Sequence, residues 1–257
     1  MRILCIGDVT SPGGVAHLRA NLWKFRKENR IDFCIVNAEN ASLITGASAN
    51  DAKTLFEAGA DCLTGGNHTL RNKSVYTYLD DTEAMLRPIN FGAEAPGHGY
   101  AILDCNGYRM LVINAMGNVN IQPILDNPYG YIDRALEREK GRYDFSILDI
   151  HAEATGEKVA IGYAYDGKIN VIFGTHTHVP TCDEMILPCG TGYITDVGMC
   201  GETGGVLGMD AESVVRQMRN RIPPKFQAAN GPCRATGAIF DLDTSSGKIA
   251  SITRVSL

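Results

Sequence analysis

The stretch RILCIGDV, residues 2–9, is an apolar run that ends at the acidic residue Asp8. Such a run, followed by a glycine, is typical of a buried β-strand. The pattern of an apolar run ending in a residue able to bind a metal or polarise a phosphate occurs five more times. These further ends carry Glu39 and Asn40; Asn67 and His68; Asn114; His151; and His176 and His178. Because strand carboxyl ends share one edge of an open α/β sheet, we expect these residues to converge in one crevice.

The segments between these runs predict helices and two sheets. Helices are expected after residues 12–14, over 49–58, and over 211–221, where Pro223 and Pro224 would end the helix. Around residue 100 the pattern changes to a β-hairpin, with a tight turn at Asn106-Gly107. Similar antiparallel signals lie at 160–167, with Asp166-Gly167, and at 238–255. We therefore predict one α/β domain, residues 1–257, that contains two sheets.

Composition excludes several classes of protein. An apolar fraction of 44% over 257 residues is enough for a large core, and the net charge of -5 argues against wrapping a long nucleic acid. No run approaches the roughly 20 apolar residues of a membrane span, and no leader-like segment begins the chain, so a cytoplasmic location is expected. The eight cysteines form no C-x-x-C pair, and four of them lie in or beside strand-like runs, which predicts buried thiols there rather than a disulfide framework.

The segment Gly174-Thr175-His176-Thr177-His178 carries the strongest chemical signal. In extended backbone, side chains two residues apart point the same way, so both imidazoles can face one cavity. Alone, the pair is also compatible with two polar loop residues. Together with the other strand-end residues it gives a mixture of oxygen and imidazole ligands that suits manganese, iron or zinc rather than calcium. The proposed ligands are Asp8, Glu39, Asn40, Asn67, His151, His176 and His178. Seven ligands exceed the needs of one tetrahedral ion, whereas two ions can share a carboxylate, for which Glu39 is the natural bridge.

At these residues the sequence resembles the metallophosphoesterase, or calcineurin-like phosphoesterase, superfamily. The ligand blocks Gly7-Asp8, Gly66-Asn67-His68, His151 and residues 174–178 occur in the superfamily's order. Within it, the chain resembles the YmdB-like family. That resemblance rests on GDV at 7–9, EN at 39–40, GNHT at 66–69, RPINF at 87–91, HAEAT at 151–155, GTHTHV at 174–179 and ITDVGM at 194–199.

The resemblance implies a four-layer α/β/β/α sandwich of two mixed β-sheets flanked by helices, and two divalent ions, iron or manganese first and zinc second. One ion would be held by Asp8, Glu39, Asn40 and His178, and the other by Glu39, Asn67, His151 and His176. The chain departs from the broader superfamily at Thr10, where a histidine is usual, and at Glu39, where an aspartate is usual. Asn40 is expected to fill the position left at Thr10.

The same resemblance implies a phosphodiesterase that hydrolyses cyclic nucleotides, 2′,3′-cyclic mononucleotides above all. A hydroxide between the ions would attack phosphorus while His68 protonates the leaving oxygen, since an imidazole can donate a proton near neutral pH. His68 could instead only hydrogen-bond the substrate. A small phosphodiester is the expected partner, and assembly into a homo-oligomer is left open.

Three other interpretations remain. The first is a phosphomonoesterase or phosphoprotein phosphatase with the same dimetal core. The second is a regulatory protein that binds a nucleotide or an RNA end and turns over little. The third, metal-dependent amide or lactone hydrolysis, is disfavoured, because His176-Thr177-His178 is not followed by the Asp-His of an H-x-H-x-D-H pattern.

Three residues near the predicted site have no assigned role. Asn114 could line the crevice or cap a turn. Asp196 could orient a ligand histidine or cap the glycine-rich loop that follows it. Cys200 lies within that loop, whereas Cys5, Cys34, Cys62 and Cys105 fall in or beside strand-like runs.

Overall fold

The computed structural model describes residues 1–42, 45–223 and 227–257, which form thirteen strands and six α-helices in two sheets. The strands are β1 (Arg2–Ile6), β2 (Asp8–Val9), β3 (Phe33–Asn37), β4 (Cys62–Thr64), β5 (Tyr100–Cys105), β6 (Tyr108–Met116), β7 (Phe145–His151), β8 (Val171–Thr175), β9 (Met185–Ile186), β10 (Gly192–Ile194), β11 (Met199–Glu202), β12 (Cys233–Leu242) and β13 (Ile249–Ser256). The helices are α1 (Ser11–Glu28), α2 (Ala49–Glu57), α3 (Tyr76–Asp81), α4 (Tyr129–Arg138), α5 (Thr155–Ala164) and α6 (Ala211–Asn220).

Both sheets are mixed. The first has the order β2-β11-β12-β1-β3-β4, with β13 also paired to β12, and its strands β1, β3 and β4 run parallel. The second has the order β5-β6-β7-β8-β10-β9, with β6, β7, β8 and β10 parallel and an antiparallel strand at each edge. The carboxyl ends of the parallel strands in each sheet therefore lie at a common edge.

Alternating side chains on the strands produce four layers. In β1, Ile3 and Cys5 pack against the second sheet, while Leu4 and Ile6 pack with buried residues of α1 and α2. The second sheet repeats the arrangement. Its inner residues, such as Ile147, meet the first sheet, and its outer residues pack against α4 and α5. The predicted α/β/β/α sandwich is confirmed.

Most predicted elements are present. The hairpin around Asn106-Gly107 is β5 and β6, and the antiparallel pair near the end is β12 and β13. The helix predicted over 211–221 is α6, and Pro224, one of the two prolines expected to end it, lies outside the described residues.

The antiparallel segment predicted at 160–167 is wrong. Residues 155–164 form α5, whose buried residues Lys158, Ile161 and Gly162 recur at helical rather than strand spacing. Asp166-Gly167 follows the helix and leads into β8 instead of joining two strands. Gly167 has a φ of 78°, which suits glycine in either kind of turn.

The cysteines expected in strands are buried and free: Cys5, Cys34, Cys62 and Cys105. Cys200 is likewise buried, in β11, where its thiol contacts the carbonyl of Gly14 and burial raises its pKa. A raised thiol pKa disfavours the nucleophilic thiolate, so Cys200 has a packing role. Among the described residues, no helix is long and apolar enough to cross a membrane.

Candidate metal centre

All seven predicted ligands lie where strands of the two sheets end. Asp8 starts β2 directly after β1, Glu39 and Asn40 follow β3, and Asn67 follows β4. His151 is the last residue of β7, and His176 and His178 follow β8. The first sheet therefore supplies four oxygen-bearing side chains and the second sheet three imidazoles.

His151 is the centre of a group of hydrogen-bond acceptors. Its Nε2 lies 3.1 Å from Oδ1 of Asn67, 3.2 Å from Nδ1 of His176 and 3.4 Å from Oε1 of Glu39. The other ring nitrogen, Nδ1, lies 2.9 Å from the Thr175 hydroxyl oxygen, which in turn donates to Asp149. Burial opposes the charge on His151, but Glu39 and Asp8 outweigh it and raise its pKa to about 9. In the neutral form that binds a metal, Nδ1 donates to Thr175 and Nε2 presents a lone pair to its neighbours. Several lone pairs that face one point are the arrangement that a cation satisfies.

Asp8 provides an independent indication of a cation. Its Oδ2 accepts from the backbone N–H of His176 at 3.0 Å. Its Oδ1 is buried and has no hydrogen-bond partner among the described residues, although His151 Nδ1 is 3.7 Å away and His178 Nε2 is 3.8 Å away. An unpartnered buried carboxylate oxygen is costly unless an ion or a water completes it.

Gly66 keeps space open beside these groups. A Cβ built on Gly66 would overlap His151 Nε2 and Glu39 Oε2. The space is bounded by the carboxylate, amide and imidazole atoms already described, and Glu39, His151 and His176 have ligand atoms within 4.8 Å of one another. The donor set and the open space therefore fit divalent metal ions.

The electrostatics of the site follow from burial and close charges. Burial opposes the charge on Glu39, but His151 and His68 outweigh it and lower the pKa of Glu39 well below its usual value. Burial raises the pKa of Asp8, while His178 and His151 act in the other direction. Burial and the neighbouring His151 lower the pKa of His176 to about 3, which keeps its imidazole in the neutral form that binds metals.

Asp149 is a site residue that the sequence reasoning missed. Its buried carboxylate accepts from Asn37, Thr64 and Thr175, at 3.0, 2.5 and 2.8 Å. Burial raises its pKa to about 6 against the effect of these hydrogen bonds. Through Thr175 it orients the ring of His151, as carboxylates behind metal-bound histidines commonly do. The available signal was an acidic residue inside the apolar strand FSILDIH, on the same face as His151.

The two histidines after β8 sit on strained backbone. His176 and His178 have φ values of 95° and 62°, in the left-handed region that residues with a Cβ seldom adopt. Between them, Thr177 donates its N–H and its hydroxyl to Oδ2 of Asp196, at 3.1 and 2.7 Å. Asp196 also accepts from the N–H of Gly198 at 2.8 Å. It therefore caps the loop that follows it and, through Thr177, also holds the turn that carries the two histidines. Strain that the surroundings enforce is typical of functional sites.

His68 lies at the edge of the acceptor group. Its Nδ1 is 2.8 Å from Oδ1 of Asn40 and 3.2 Å from Oε1 of Glu39, and its backbone N–H donates to the other oxygen of Glu39 at 2.9 Å. Asn40 also donates to Glu39 at 2.9 Å, which fixes the orientation of its amide. The hydrogen bonds of the described residues leave Nε2 of His68 free, and its ring lines an open cleft.

The backbone places Asn40 beside Thr10. The two residues pair as a parallel β-bridge, and the N–H of Ser11 donates to the carbonyl of Asn40 at 3.0 Å. The Thr10 hydroxyl donates to the carbonyl of Cys200 at 3.3 Å. Asn40 therefore stands next to the position at which the superfamily usually has a histidine.

Asn114 is not at the end of its strand, because β6 continues to Met116. It is fully buried, and its Oδ1 accepts from the N–H of Gly65 at 3.1 Å. This hydrogen bond joins the second sheet to the loop that carries Asn67. Of the two roles considered, Asn114 therefore takes a structural one.

A cleft of about 260 Å³ opens from the site. Its described lining includes the predicted site residues Glu39, Asn40, His68, His176 and His178, the polar Ser42 and Arg71, and the apolar Leu207, Met209 and Ala228. The cleft thus combines charged, polar and apolar groups, which suits a small molecule with an anionic and an apolar part.

Comparison with known proteins identifies the family. The family model described as YmdB-like protein matches residues 4–255. The chain belongs to the YmdB-like family. Its predicted membership is thereby confirmed.

Individual relatives match nearly the whole chain. The 2′,3′-cyclic-nucleotide 2′-phosphodiesterase of Bacillus subtilis is 38% identical over 255 residues, which are 99% of this chain and 96% of that protein. A crystal structure described as a novel phosphatase of Mycoplasma pneumoniae has a TM-score of 0.93 and 31% identity, covering 100% of this chain and 93% of that one. A hypothetical protein from Thermus thermophilus has a TM-score of 0.93 and 36% identity, covering 100% and 99%. The predicted enzyme class, a phosphoric diester hydrolase, is that of the Bacillus relative.

Proposed function

We propose that this protein is a dimetal-dependent phosphodiesterase that hydrolyses 2′,3′-cyclic mononucleotides, with residues 1–257 acting as one domain. The observation that carries the proposal is the group of acceptor atoms around His151 Nε2, next to the unpartnered oxygen of Asp8. The name of the Bacillus relative supports the choice of substrate.

Under this proposal the ligands divide into two sets that share Glu39. Asp8, Asn40 and His178 belong to one ion, and Asn67, His151 and His176 to the other. Iron or manganese is the expected metal, with zinc as the second choice. Bound ions would stabilise negative charge on the phosphate oxygens and activate water for attack. The contact between Asn40 and His68 means that Asn40 must share its amide oxygen or exchange partners when an ion binds.

His68 would protonate the leaving oxygen of the substrate. Its Nδ1 is engaged by Asn40, so Nε2 is the atom available to the cleft. Opening a 2′,3′-cyclic phosphate leaves an alkoxide on the ribose, which needs a proton. A His68→Asn variant should lose most turnover of 2′,3′-cyclic AMP while retaining both ions. Full activity of this variant would exclude the role as acid.

The mixed lining of the cleft fits the different parts of a nucleotide. The phosphate would lie at the predicted metal ligands, and the nucleobase would pack against the apolar Leu207 and Met209. Arg71 and Ser42, which also line the cleft, can contact the sugar or further phosphate oxygens.

Hydrolysis of phosphomonoesters is the second candidate function, and the description of the Mycoplasma neighbour as a phosphatase favours it. Metal analysis of purified protein, with rates measured on cyclic nucleotides and a phosphomonoester side by side, tests the proposal. We expect two ions per chain and the fastest turnover on 2′,3′-cyclic nucleotides. Active protein with fewer than two ions would contradict the dimetal proposal. Tight binding of a cyclic nucleotide without hydrolysis would favour a regulatory role instead.

A further inference from the structure

Lys158 is a buried cation outside the proposed ligand set. The residue is fully buried, and its Nζ donates to Oδ2 of Asp196 at 2.8 Å. Lys158 lies in the first turns of α5, near the helix N-terminus, where the helix dipole disfavours a positive charge. Removing both groups from water carries a desolvation penalty that their mutual attraction only partly offsets. The pair is therefore a poor source of stability at this position.

The pair contacts the turn that carries two of the predicted metal ligands. Oδ2 of Asp196 accepts hydrogen bonds from both Lys158 and Thr177, while its Oδ1 accepts from the N–H of Gly198 at 2.8 Å. The turn that Thr177 occupies is the one that puts His176 and His178 into left-handed backbone. Asp196 thus holds the residue midway between the two histidines.

Neighbouring residues fix the pair itself. The N–H of Asp196 donates to the hydroxyl oxygen of Thr181 at 3.0 Å, and the carbonyl of Asp196 accepts from the N–H of Thr181 at the same distance. Gly174, in β8, leaves room for two neighbours, since a Cβ there would overlap the carbonyl of Thr195 and come within 2.9 Å of Lys158 Cδ. The carboxylate is therefore held between a buried lysine and the histidine turn.

We propose that the Lys158–Asp196 pair is a positioning device that sets the separation of His176 and His178, and through them the separation of the two ions. The inference rests on the proposed dimetal site, in which these histidines serve different ions. Loss of the pair should therefore lower the affinity for both ions. Loss of a group that supports only one histidine should lower the affinity for only one ion.

Glu153 provides the matched comparison. Its carboxylate lies 3.1 Å from Nε2 of His176, on the ring edge away from His151, and about half of the Glu153 side chain is exposed. This contact orients His176 alone. A Glu153→Gln variant should therefore lower the affinity only for the ion assigned to His176.

The experiment uses the full chain and has three readouts. In Mn²⁺-loaded protein these are the affinity for each ion and the spin-coupled electron paramagnetic resonance signal of a manganese pair. In metal-free protein the readout is thermal stability. The decisive variant is the double change Lys158→Met with Asp196→Asn, which removes both buried charges at similar volume. An exposed lysine of α1 changed in the same way, Lys24→Met, is the control.

The single change Lys158→Met strands a buried carboxylate and should lower stability as well as both affinities. The double variant should regain part of that stability, because it leaves no buried charge unpaired. Recovery should be incomplete, since the Asn amide nitrogen cannot accept a hydrogen bond and either Thr177 or Gly198 loses its acceptor. Both affinities should nevertheless stay about 10- to 100-fold weaker, the usual effect of losing support behind metal ligands, and the coupled signal should diminish. The inference would be overturned if the double variant bound both ions as tightly as the wild type, or if its affinity fell for only one of the two ions.

Thr177→Val covers the case in which the double variant does not fold. It removes the hydroxyl donor to Asp196 and leaves the buried pair intact. The affinity for both ions should therefore fall several-fold, while the thermal stability of the metal-free protein stays unchanged. Unchanged affinities would again overturn the inference. Wild-type protein that binds fewer than two ions would refute the dimetal proposal itself, a result separate from any difference between variants.

Discussion

The two sheets contribute different chemistry to the site. The first sheet supplies oxygen atoms, from Asp8, Glu39, Asn40 and Asn67, whereas the second supplies nitrogen, from His151, His176 and His178. Neither set alone surrounds the space beside Gly66. The candidate site therefore forms only when the two sheets pack face to face.

The two sets are also held differently. On the oxygen side, site residues hold one another: Glu39 accepts from the side chain of Asn40 and from the backbone of His68. On the imidazole side, buried groups behind the ligands hold them in place, with Asp149 acting through Thr175 and Asp196 acting through Thr177. Changes behind the ligands should therefore matter mainly on the imidazole side.

The largest expected effect comes from Glu39, which lies between the two sets. Glu39→Gln retains the shape but removes the charge that would be shared by both ions. We expect a fall in turnover of 2′,3′-cyclic AMP of at least about 100-fold, beyond the range typical of residues behind metal ligands. Steady-state kinetics with metal content measured in parallel checks this. Unimpaired turnover would show that Glu39 does not bridge.

Metal removal tests whether the ions join the sheets. A ligand at 100 times its dissociation constant stabilises the folded state by about 2.7 kcal/mol, roughly 5 to 10 °C in melting temperature for a chain of this size. Melting curves of wild-type protein with Mn²⁺ and with a chelator should differ by that amount. Identical curves would contradict the view that ions connect oxygen and imidazole ligands across the interface.

Thr175→Val tests the support behind His151. The change removes the hydroxyl that links His151 to Asp149 and should weaken metal binding by about 10- to 100-fold. Thr64→Val is the matched control, because Thr64 also donates to Asp149 but does not contact His151. Titrations with Mn²⁺ compare the two variants. Equal losses would mean that Asp149 acts through packing rather than through the Thr175 hydroxyl.

The smallest effect is expected on the wall of the cleft. Arg71→Leu should raise KM for a cyclic nucleotide roughly 5-fold and leave kcat unchanged, since an exposed ionic contact contributes at most about 1 kcal/mol. Arg19→Leu, at an exposed position of α1 away from the cleft, serves as the control. A large fall in kcat for the Arg71 variant would place that residue nearer the reaction than proposed.

The contrast between the sheets also explains what the sequence could predict. The predicted ligands could be identified from the sequence because each follows an apolar run. The common edge of parallel strands brings the ends of such runs together. His151 and the 176–178 turn were identified for that reason. The roles of these residues as metal ligands remain predictions.

The groups behind the imidazoles were harder to find. Lys158 lies just before the segment 160–167, which was interpreted as a strand, although the structure places both in or directly after α5. A lysine on a short helix is ordinarily solvent-exposed, so its burial depends on the distant Asp196. Asp149 could have been noticed as a charge in an apolar strand. Its link to His151, however, passes through Thr175 on another strand, a contact that only tertiary structure defines.

The central claim is that ligands from both sheets hold two ions that share Glu39. Anomalous diffraction from crystals of the Mn²⁺-loaded protein measures this directly. The account predicts two peaks about 3.5 to 4 Å apart, as in other two-metal sites, with the Glu39 carboxylate between them. A single peak, or two peaks that Glu39 does not contact, would contradict it.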